Sequence, residues 1–220
     1  MDDISLLLPA FNEERAIGTV IDVALSERIS LQNILVGDNN STDRTKAIAT
    51  RKGVKVISVR KQGKGAVIRE LVNHIDTPYA MVADSDLTYP LFRNVSRIRG
   101  LLQRYEAVMT YRKPVGGAMS TVHKFGNNCL SLFASYMFGM RIYDVVSGMW
   151  GFRTDSVRKI IIDDAGFTPD VDFITGMIKS GASIAQIPIS YYPRPNGSHT
   201  KLNMGHGLVI AAQIIKRRIV

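Results

Sequence analysis

Five short runs rich in Ile, Val and Leu constrain this chain more than any other feature: residues 4–9 (ISLLLP), 33–37 (NILVG), 55–59 (KVISV), 79–83 (YAMVA) and 107–110 (AVMT). The first four are each followed by a longer segment of helical period, at 13–27, 42–51, 65–74 and 91–105. Asn12, and Ser41 or Thr42, stand where helix caps belong. Strand and helix in this alternation predict an α/β fold, a mostly parallel central sheet with right-handed crossovers and helices on both faces. Ligands of such sheets collect beyond the carboxyl ends of the strands, which points to residues 9–13, 38–43, 61–65, 84–86 and 111–113.

After residue 115 the rhythm breaks, in GGAMSTVHKFGNNCLSLFASYMFGMRIYDVVSGMWGFR. Helices are predicted near 155–162 and 171–179 and a strand at 182–188, and no Pro-, Gly- or Ser-rich linker separates the halves, so the chain is read as one unit. Lys and Arg outnumber Asp and Glu by 28 to 19, a formal charge of +9. That excess suits an anionic partner (nucleic acid, a phosphorylated metabolite or an acidic lipid surface) or simply a solvated surface. Nucleic acid fits poorly, because the basic residues are scattered and no aromatic-basic or zinc pattern accompanies them. The single cysteine, Cys129, excludes an internal disulfide and is expected to be a small buried hydrophobe. MDDISLLLPAFNEE lacks the basic start and long apolar segment of a secretory signal, and no run of 18 apolar residues follows, so a cytoplasmic, reducing compartment is expected.

The fourth run halts at Asp84-Ser85-Asp86. Side chains two apart on extended backbone share a side, so both carboxylates face one point, with the small Ser85 leaving room. Oxygen ligands so arranged suit Mg²⁺ or Mn²⁺, which take one or two protein carboxylates together with substrate phosphates. The plainer reading is a solvated acidic turn capping the helix after Pro90. Asp38 closes the second run in GDNNSTDRT, from where a carboxylate can hold a ribose or a base edge; an ordinary turn built on Asn39, Asn40 and Ser41 accounts for the same residues. Lys64, flanked by glycines in RKQGKGAVIRE, sits at the mouth of a helix and with its N–H groups makes an anion site, although the spacing is neither a Walker motif nor G-x-G-x-x-G.

In order and spacing, PAFNEE, DNNSTD, GKG and DSD resemble the GT-A-type glycosyltransferases of family two, and more closely the branch containing dolichyl-phosphate mannose synthase. TYRK, HKFGN at 123–127, DVVSG at 144–148 and the late YYPRPNGSHTKLN resemble that branch's basic loop and its H-R-F-G-N, D-x-x-S-G and R-P-x-G-S-x-S-K-L-N segments, so the likeness covers almost the whole chain. The chain departs from the pattern at Phe11, where Tyr is frequent, in DSD for DAD or DGD, in Thr200 for Ser, and in SGMWGF, where an aromatic or basic residue usually follows SG. The resemblance implies a GT-A fold with a nucleotide-sugar-binding half (1–113), an acceptor-facing half (114–202) and a C-terminal segment (203–220). It implies that Pro9, Phe11, Glu13, Asp38, Lys64 and Ser85 serve the nucleotide-sugar pocket and that Asp84 and Asp86 hold Mg²⁺ or Mn²⁺ at the diphosphate. Arg194 and Lys201 would close on the phosphates from a mobile loop. Arg112, His123, Lys124 and Asn127 would face the acceptor, with Arg112 and Lys124 joining the two aspartates as the catalytic set.

The implied activity is inverting transfer of a hexose from a GDP- or UDP-sugar to a polyprenyl or dolichyl phosphate. A phosphate monoester, with a second pKa of about 6, arrives ionised and needs no base. A sugar hydroxyl, the alternative acceptor in glycan or cell-envelope assembly, needs one, for which Asp144 and Asp172 are candidates. In the tail LNMGHGLVIAAQIIKRRIV, Leu208, Ile210, Ala211, Ile214 and Ile215 stand beside Lys216, Arg217 and Arg218. Such a segment lies peripherally on the cytoplasmic face of a membrane or packs on its own domain or a second subunit.

Overall fold

The computed structural model describes residues 1–160, 162, 168–194 and 206–219. In chain order the elements are β1 (Ile4–Ala10), α1 (Ile17–Ser26), β2 (Ile34–Asp38), α2 (Thr45–Arg51), β3 (Lys55–Ser58), α3 (Lys64–Val72), β4 (Tyr79–Ala83), α4 (Asn94–Leu102) and β5 (Ala107–Pro114). They continue with α5 (Thr121–Phe138), β6 (Met149–Arg153), α6 (Thr154–Val157), α7 (Pro169–Lys179), β7 (Ile184–Tyr191) and α8 (His206–Ile219). One sheet holds seven strands in the order β3-β2-β1-β4-β6-β5-β7. β1 to β4 are mutually parallel, and the chain returns past β1 to place β4 on its other side. That reversal opens a crevice at the carboxyl ends of β1 and β4.

Alternation along the strands builds two hydrophobic layers. Leu6, Leu8, Val36, Met81 and Ala83 meet Ile17, Ile21, Ala49, Val95 and Ile98 of α1, α2 and α4. Leu7, Leu35 and Val82 belong to the opposite layer, with Val67, Ile68 and Leu71 of α3, Phe173 of α7 and Ile214 of α8. Trp150 of β6 lies in that layer, stacked on Phe173 with ring centroids 3.9 Å apart.

Several expectations are corrected. α1 begins at Ile17 rather than 13, because Asn12 adopts φ 56° and turns its side chain to accept the Thr42 N–H at 2.9 Å instead of capping. α2 begins at Thr45, whose N–H is held by Asp43 at 2.9 Å, so Asp43 takes the place expected of Ser41 or Thr42. The helix expected at 155–162 is a single turn, α6. The irregular run after 115 holds the longest described helix, α5, capped by Ser120 Oγ accepting the His123 N–H at 3.2 Å and ended by Gly139, and also holds β6. β6 is antiparallel to both neighbours, with Trp150 beside Val82 on one side and Met109 on the other. Cys129 is exposed on α5, not buried. In α8, Ile210 and Ile214 pack into the core and Arg217 is buried against Asp172 at 2.7 Å, so this part of the tail faces the protein rather than lipid.

Candidate active site

The crevice between β1 and β4 deepens into a cavity of about 390 Å³. Pro9, Phe11 and Glu13 form its wall after β1, and Ser85 Oγ donates to the Pro9 carbonyl at 2.8 Å, fixing the end of β4 to the end of β1. Asn39, just past β2, organises the next wall. Its Nδ2 donates to the carbonyls of Val59 at 3.0 Å and Lys61 at 2.8 Å, while its Oδ1 accepts the Gly63 N–H at 2.9 Å. This draws Gln62 to Lys64 across the strand ends through Gly63 at φ 128°, a conformation that side chains disfavour. Lys64 therefore enters the cavity from the first turn of α3. Its Nζ lies 2.8 Å from Asp84 Oδ1 and 3.1 Å from Asp170 Oδ1 of α7.

Asp84 and Asp86 both line the cavity, but they lie past the end of β4, where residues 85–87 bend instead of continuing the extended strand that the two-residue spacing assumes. Asp86 Oδ1 accepts from the Thr88 N–H at 3.1 Å and hydroxyl at 2.5 Å, and its Oδ2 lies 2.7 Å from Arg194 Nη2. Asp84 rests against Gly148, where any Cβ would collide with the carboxylate. The Gly148 N–H in turn donates to the Tyr89 hydroxyl at 2.7 Å. Burial, and then the Asp84 charge, push the Asp86 carboxyl above its ordinary value against the pull of Arg194 and Thr88. Burial also raises Asp170, opposed by Lys64. Burial works to lower the Lys64 ammonium, but the charges of Asp170 and Asp84 outweigh it and hold it above its usual value.

Four carboxylates (Glu13, Asp84, Asp86 and Asp170) and three cations (Lys64, Arg112 and Arg194) line this cavity. Arg112 is matched by Asp144 behind it, through Nε to Oδ2 at 2.7 Å and Nη2 to Oδ1 at 2.8 Å. Among the described lining residues the carboxylates outnumber the cations not already matched from behind, where the two strand-end aspartates stand. No group of three His, Cys, Asp or Glu side chains able to hold a metal occurs among the described residues. Two carboxylates side by side at the strand ends are a donor arrangement of the kind a hard divalent cation shares with substrate phosphates.

A second cavity, of about 600 Å³, opens between α5 and α8. Val122, Gly126 and Leu130 of α5 face Leu208, Ile210 and Ala211 of α8, and Arg112, Val146, Tyr191, Arg194 and Ile210 line both cavities. His123 and Asn127 line this second space; Lys124, one residue on from His123, is exposed and lines neither. Asn127 Oδ1 is buried without a hydrogen-bond partner among the described residues, as is Asp38 Oδ1 at the end of β2. Asp38 is not among the residues lining either cavity. Lys201 lies outside the described residues.

A model of the family described as Glycosyl transferase family 2 matches residues 5–161. The chain belongs to glycosyltransferase family 2. Among curated family-2 relatives it is 30% identical to glycosyltransferase AglJ of Haloferax volcanii over 222 residues, 98% of this chain and 72% of that protein. It is 29% identical to a dolichyl-phosphate hexose transferase of the same organism, over 98% of this chain and 93% of that one. The glycosyltransferase shares its GT-A fold with glucosyl-3-phosphoglycerate synthase of Mycobacterium tuberculosis in complex with UDP (TM-score 0.76, 21% identity, 99% of this chain and 79% of that chain). It is similarly close to that synthase in complex with Mn²⁺ and UDP-glucose (TM-score 0.77, 22% identity, 100% and 80%).

In this family-2 site two expected base candidates are engaged elsewhere: Asp144 binds Arg112, and Asp172 binds Arg217 and accepts from Gln213 Nε2 at 2.5 Å. Neither is among the residues lining the cavities. Asp170 is the α7 carboxylate that enters the first cavity. Asn39, Tyr89 and Gly148 also act in the site. Their part depends on contacts across 20 to 64 residues, which no local spacing reveals.

Proposed function

We propose that this glycosyltransferase moves a hexose, with inversion, from a GDP- or UDP-sugar to a polyprenyl or dolichyl phosphate, using Mg²⁺ or Mn²⁺ held by Asp84 and Asp86. The observation that carries the reading is the wall shared by the two cavities. A charged space at the strand ends suits a nucleoside diphosphate, and an apolar one between α5 and α8 suits a hydrocarbon tail. Arg112 and Arg194, which line both, stand where a phosphate at the head of such a tail would meet the donor sugar. The dolichyl-phosphate hexose transferase among the relatives and the Mn²⁺ and UDP complexes among the fold neighbours support the same assignment.

The two carboxylates side by side at the strand ends, and the collision any side chain at Gly148 would make with Asp84, fit a divalent cation at the pair. When bound, the cation neutralises charge growing on the departing diphosphate. Lys64 and Arg194 orient the phosphates and spread the same charge. Asp38 lines neither cavity as it stands, but its Oδ1, without a partner among the described residues, would accept from a donor nucleoside that reached past Asn39 to the end of β2, since a buried oxygen without a hydrogen bond is uncommon. An ionised phosphate acceptor needs no base, in keeping with the engagement of Asp144 and Asp172 by arginines.

Membrane contact is part of the proposal. Val122, Phe125, Leu132 and Tyr136 of α5 are 59–84% exposed, and Leu208 and Ile219 of α8 about 80%, on helices that flank the mouth of the second cavity. No described helix is long and apolar enough to cross a membrane. These exposed apolar side chains suit a contact with the surface of the bilayer, on the cytoplasmic face.

A sugar hydroxyl acceptor is favoured by one observation: Asp170 lines the donor cavity, and burial raises its pKa in the direction a general base needs. The two readings separate when purified protein, radiolabelled sugar nucleotides and Mg²⁺ or Mn²⁺ are offered polyprenyl monophosphate or a polyprenyl-diphosphate-linked sugar. Label joining the monophosphate alone, and weakly with Arg112→Gln, is expected. Efficient labelling of the lipid-linked sugar, with none on the monophosphate, would replace this reading with the second.

A further inference from the structure

Lys64 contacts one of the two carboxylates that, on the reading above, would hold the cation. Its ammonium reaches Asp84 Oδ1 at 2.8 Å, while its other contacts are to Asp170 at 3.1 and 3.3 Å. The two carboxylates are braced by neighbouring groups. Asp84 is pressed against Gly148, whose backbone is tied to the Tyr89 hydroxyl. Asp170 Oδ1 accepts the Trp150 indole N–H at 2.9 Å, and Trp150 is itself fully buried and stacked on Phe173. Lys64 carries a flexible four-carbon arm on the first turn of α3.

We propose that Lys64 is an exchangeable counter-ion: without metal it neutralises Asp84, and on arrival of a divalent cation it gives up Asp84 and swings wholly to Asp170, which parks it beside the incoming diphosphate. Asp170 is then a positioning residue, not a base, and Trp150 fixes Asp170. The inference rests on the metal-dependent reading above. It adds that cation and diphosphate bind in a favoured order, because removing Lys64 from Asp84 both opens the cation site and supplies the phosphates with an ammonium. Electrostatic balance supports the exchange: a lysine and a divalent cation sharing one carboxylate would repel each other at close range in a partly buried site, whereas Asp170 offers the displaced ammonium a second carboxylate already in contact.

Trp150 is the chain's only tryptophan, and its indole N–H bonds the carboxylate that receives the lysine, so its emission reports the exchange directly. Two measurements on the full chain test it, neither dependent on turnover. Mn²⁺ binding in the absence of nucleotide, followed by electron paramagnetic resonance, is expected to tighten by roughly tenfold or more in Lys64→Met and to weaken in Asp170→Asn, where the lysine has only Asp84 to hold. Diamagnetic Mg²⁺ is expected to shift tryptophan emission in the unaltered protein, but not in Lys64→Met or Asp170→Asn when each is saturated with the ion. Circular dichroism of both variants checks that they are folded. Equal Mn²⁺ affinity with and without Lys64, or an unchanged Mg²⁺-induced shift in Lys64→Met, overturns the exchange while leaving the metal site standing. No Mn²⁺ binding in any form, with or without UDP or GDP, removes both the exchange and the metal-dependent reading.

Discussion

One methyl group at Gly148 separates a formed site from a broken one. The Cβ of Gly148→Ala would overlap the Asp84 carboxylate, and the main chain there is held by the Tyr89 hydroxyl, so the carboxylate must yield. Isothermal calorimetry of the variant should show Mn²⁺ affinity reduced by an order of magnitude or more, with the far-ultraviolet spectrum preserved; retention of full affinity would mean that Asp84 is not a ligand. Asp84 and Asp86 were legible as a pair because they stand two apart where the apolar run of β4 halts, although the chain there bends and the extended geometry assumed for them is not what brings them to the cavity. Gly148 was legible only as part of DVVSG, and its reason, room for Asp84, depends on a contact 64 residues away. Asp144 was legible as a carboxylate but not as the partner of Arg112, since two charges that cancel in space look independent in sequence. A second residue-level consequence concerns acid stability. The Arg99 guanidinium grips Asp3 through two nitrogens and holds its carboxyl below the ordinary value. The unfolded chain, with its Asp near 3.9, takes up the proton first, so the contribution of the pair is complete above about pH 4 and is lost as pH falls through the lower folded value. Urea midpoints of the parent and Asp3→Asn should therefore differ at pH 7 and converge as the pH is lowered toward 2.

At the scale of elements, the strands buried on both faces announced themselves. β1, β2 and β4 are continuous apolar runs because each lies between two helical layers, and β4 matches its run at both ends. β6 and α5 did not, for different reasons. MWGFR is a central strand whose apolar period is interrupted by Gly151, and Gly is there because Ile98 of α4 packs directly onto it. α5 carries two apolar faces: Leu130, Phe133 and Ala134 turn to the core, while Val122, Phe125, Leu132 and Tyr136 turn outward, so no single polar stripe marks it as amphipathic. The tail was half legible. Its Ile210, Ile214 and Arg217 hold α8 to the protein, and Leu208, Val209 and Ile219 remain outside. If the outward faces of α5 and α8 meet a bilayer, Phe125→Ser combined with Leu132→Ser should leave the melting temperature within a few degrees and sharply reduce cosedimentation with anionic phospholipid vesicles. Undiminished cosedimentation of the double variant would detach α5 from the membrane.

At the scale of the whole molecule, the sheet order fixes what the protein can do. β4 returns to the far side of β1, bringing Asp84 and Asp86 beside Pro9 to Glu13, and β6 wedges between β4 and β5 to deliver Gly148 beneath Asp84 and Trp150 behind Asp170. β5 and β7 run together beyond the rest of the sheet as far as Pro114 and Tyr191, carrying Arg112 and Tyr191 to the wall between the two cavities. The α/β class followed from alternation alone; the second cavity did not, because it is made by helices distant in sequence. In the proposed reaction the carboxylates at the strand ends hold a cation and, through it, the donor's diphosphate. Calorimetric titration of the protein with UDP and GDP, in Mn²⁺ and again after chelation, is the decisive experiment. At least one nucleotide should bind with Mn²⁺ and lose most of its affinity both on chelation and in Asp86→Ala; binding indifferent to the metal and to Asp86 would deny the strand-end carboxylates this role.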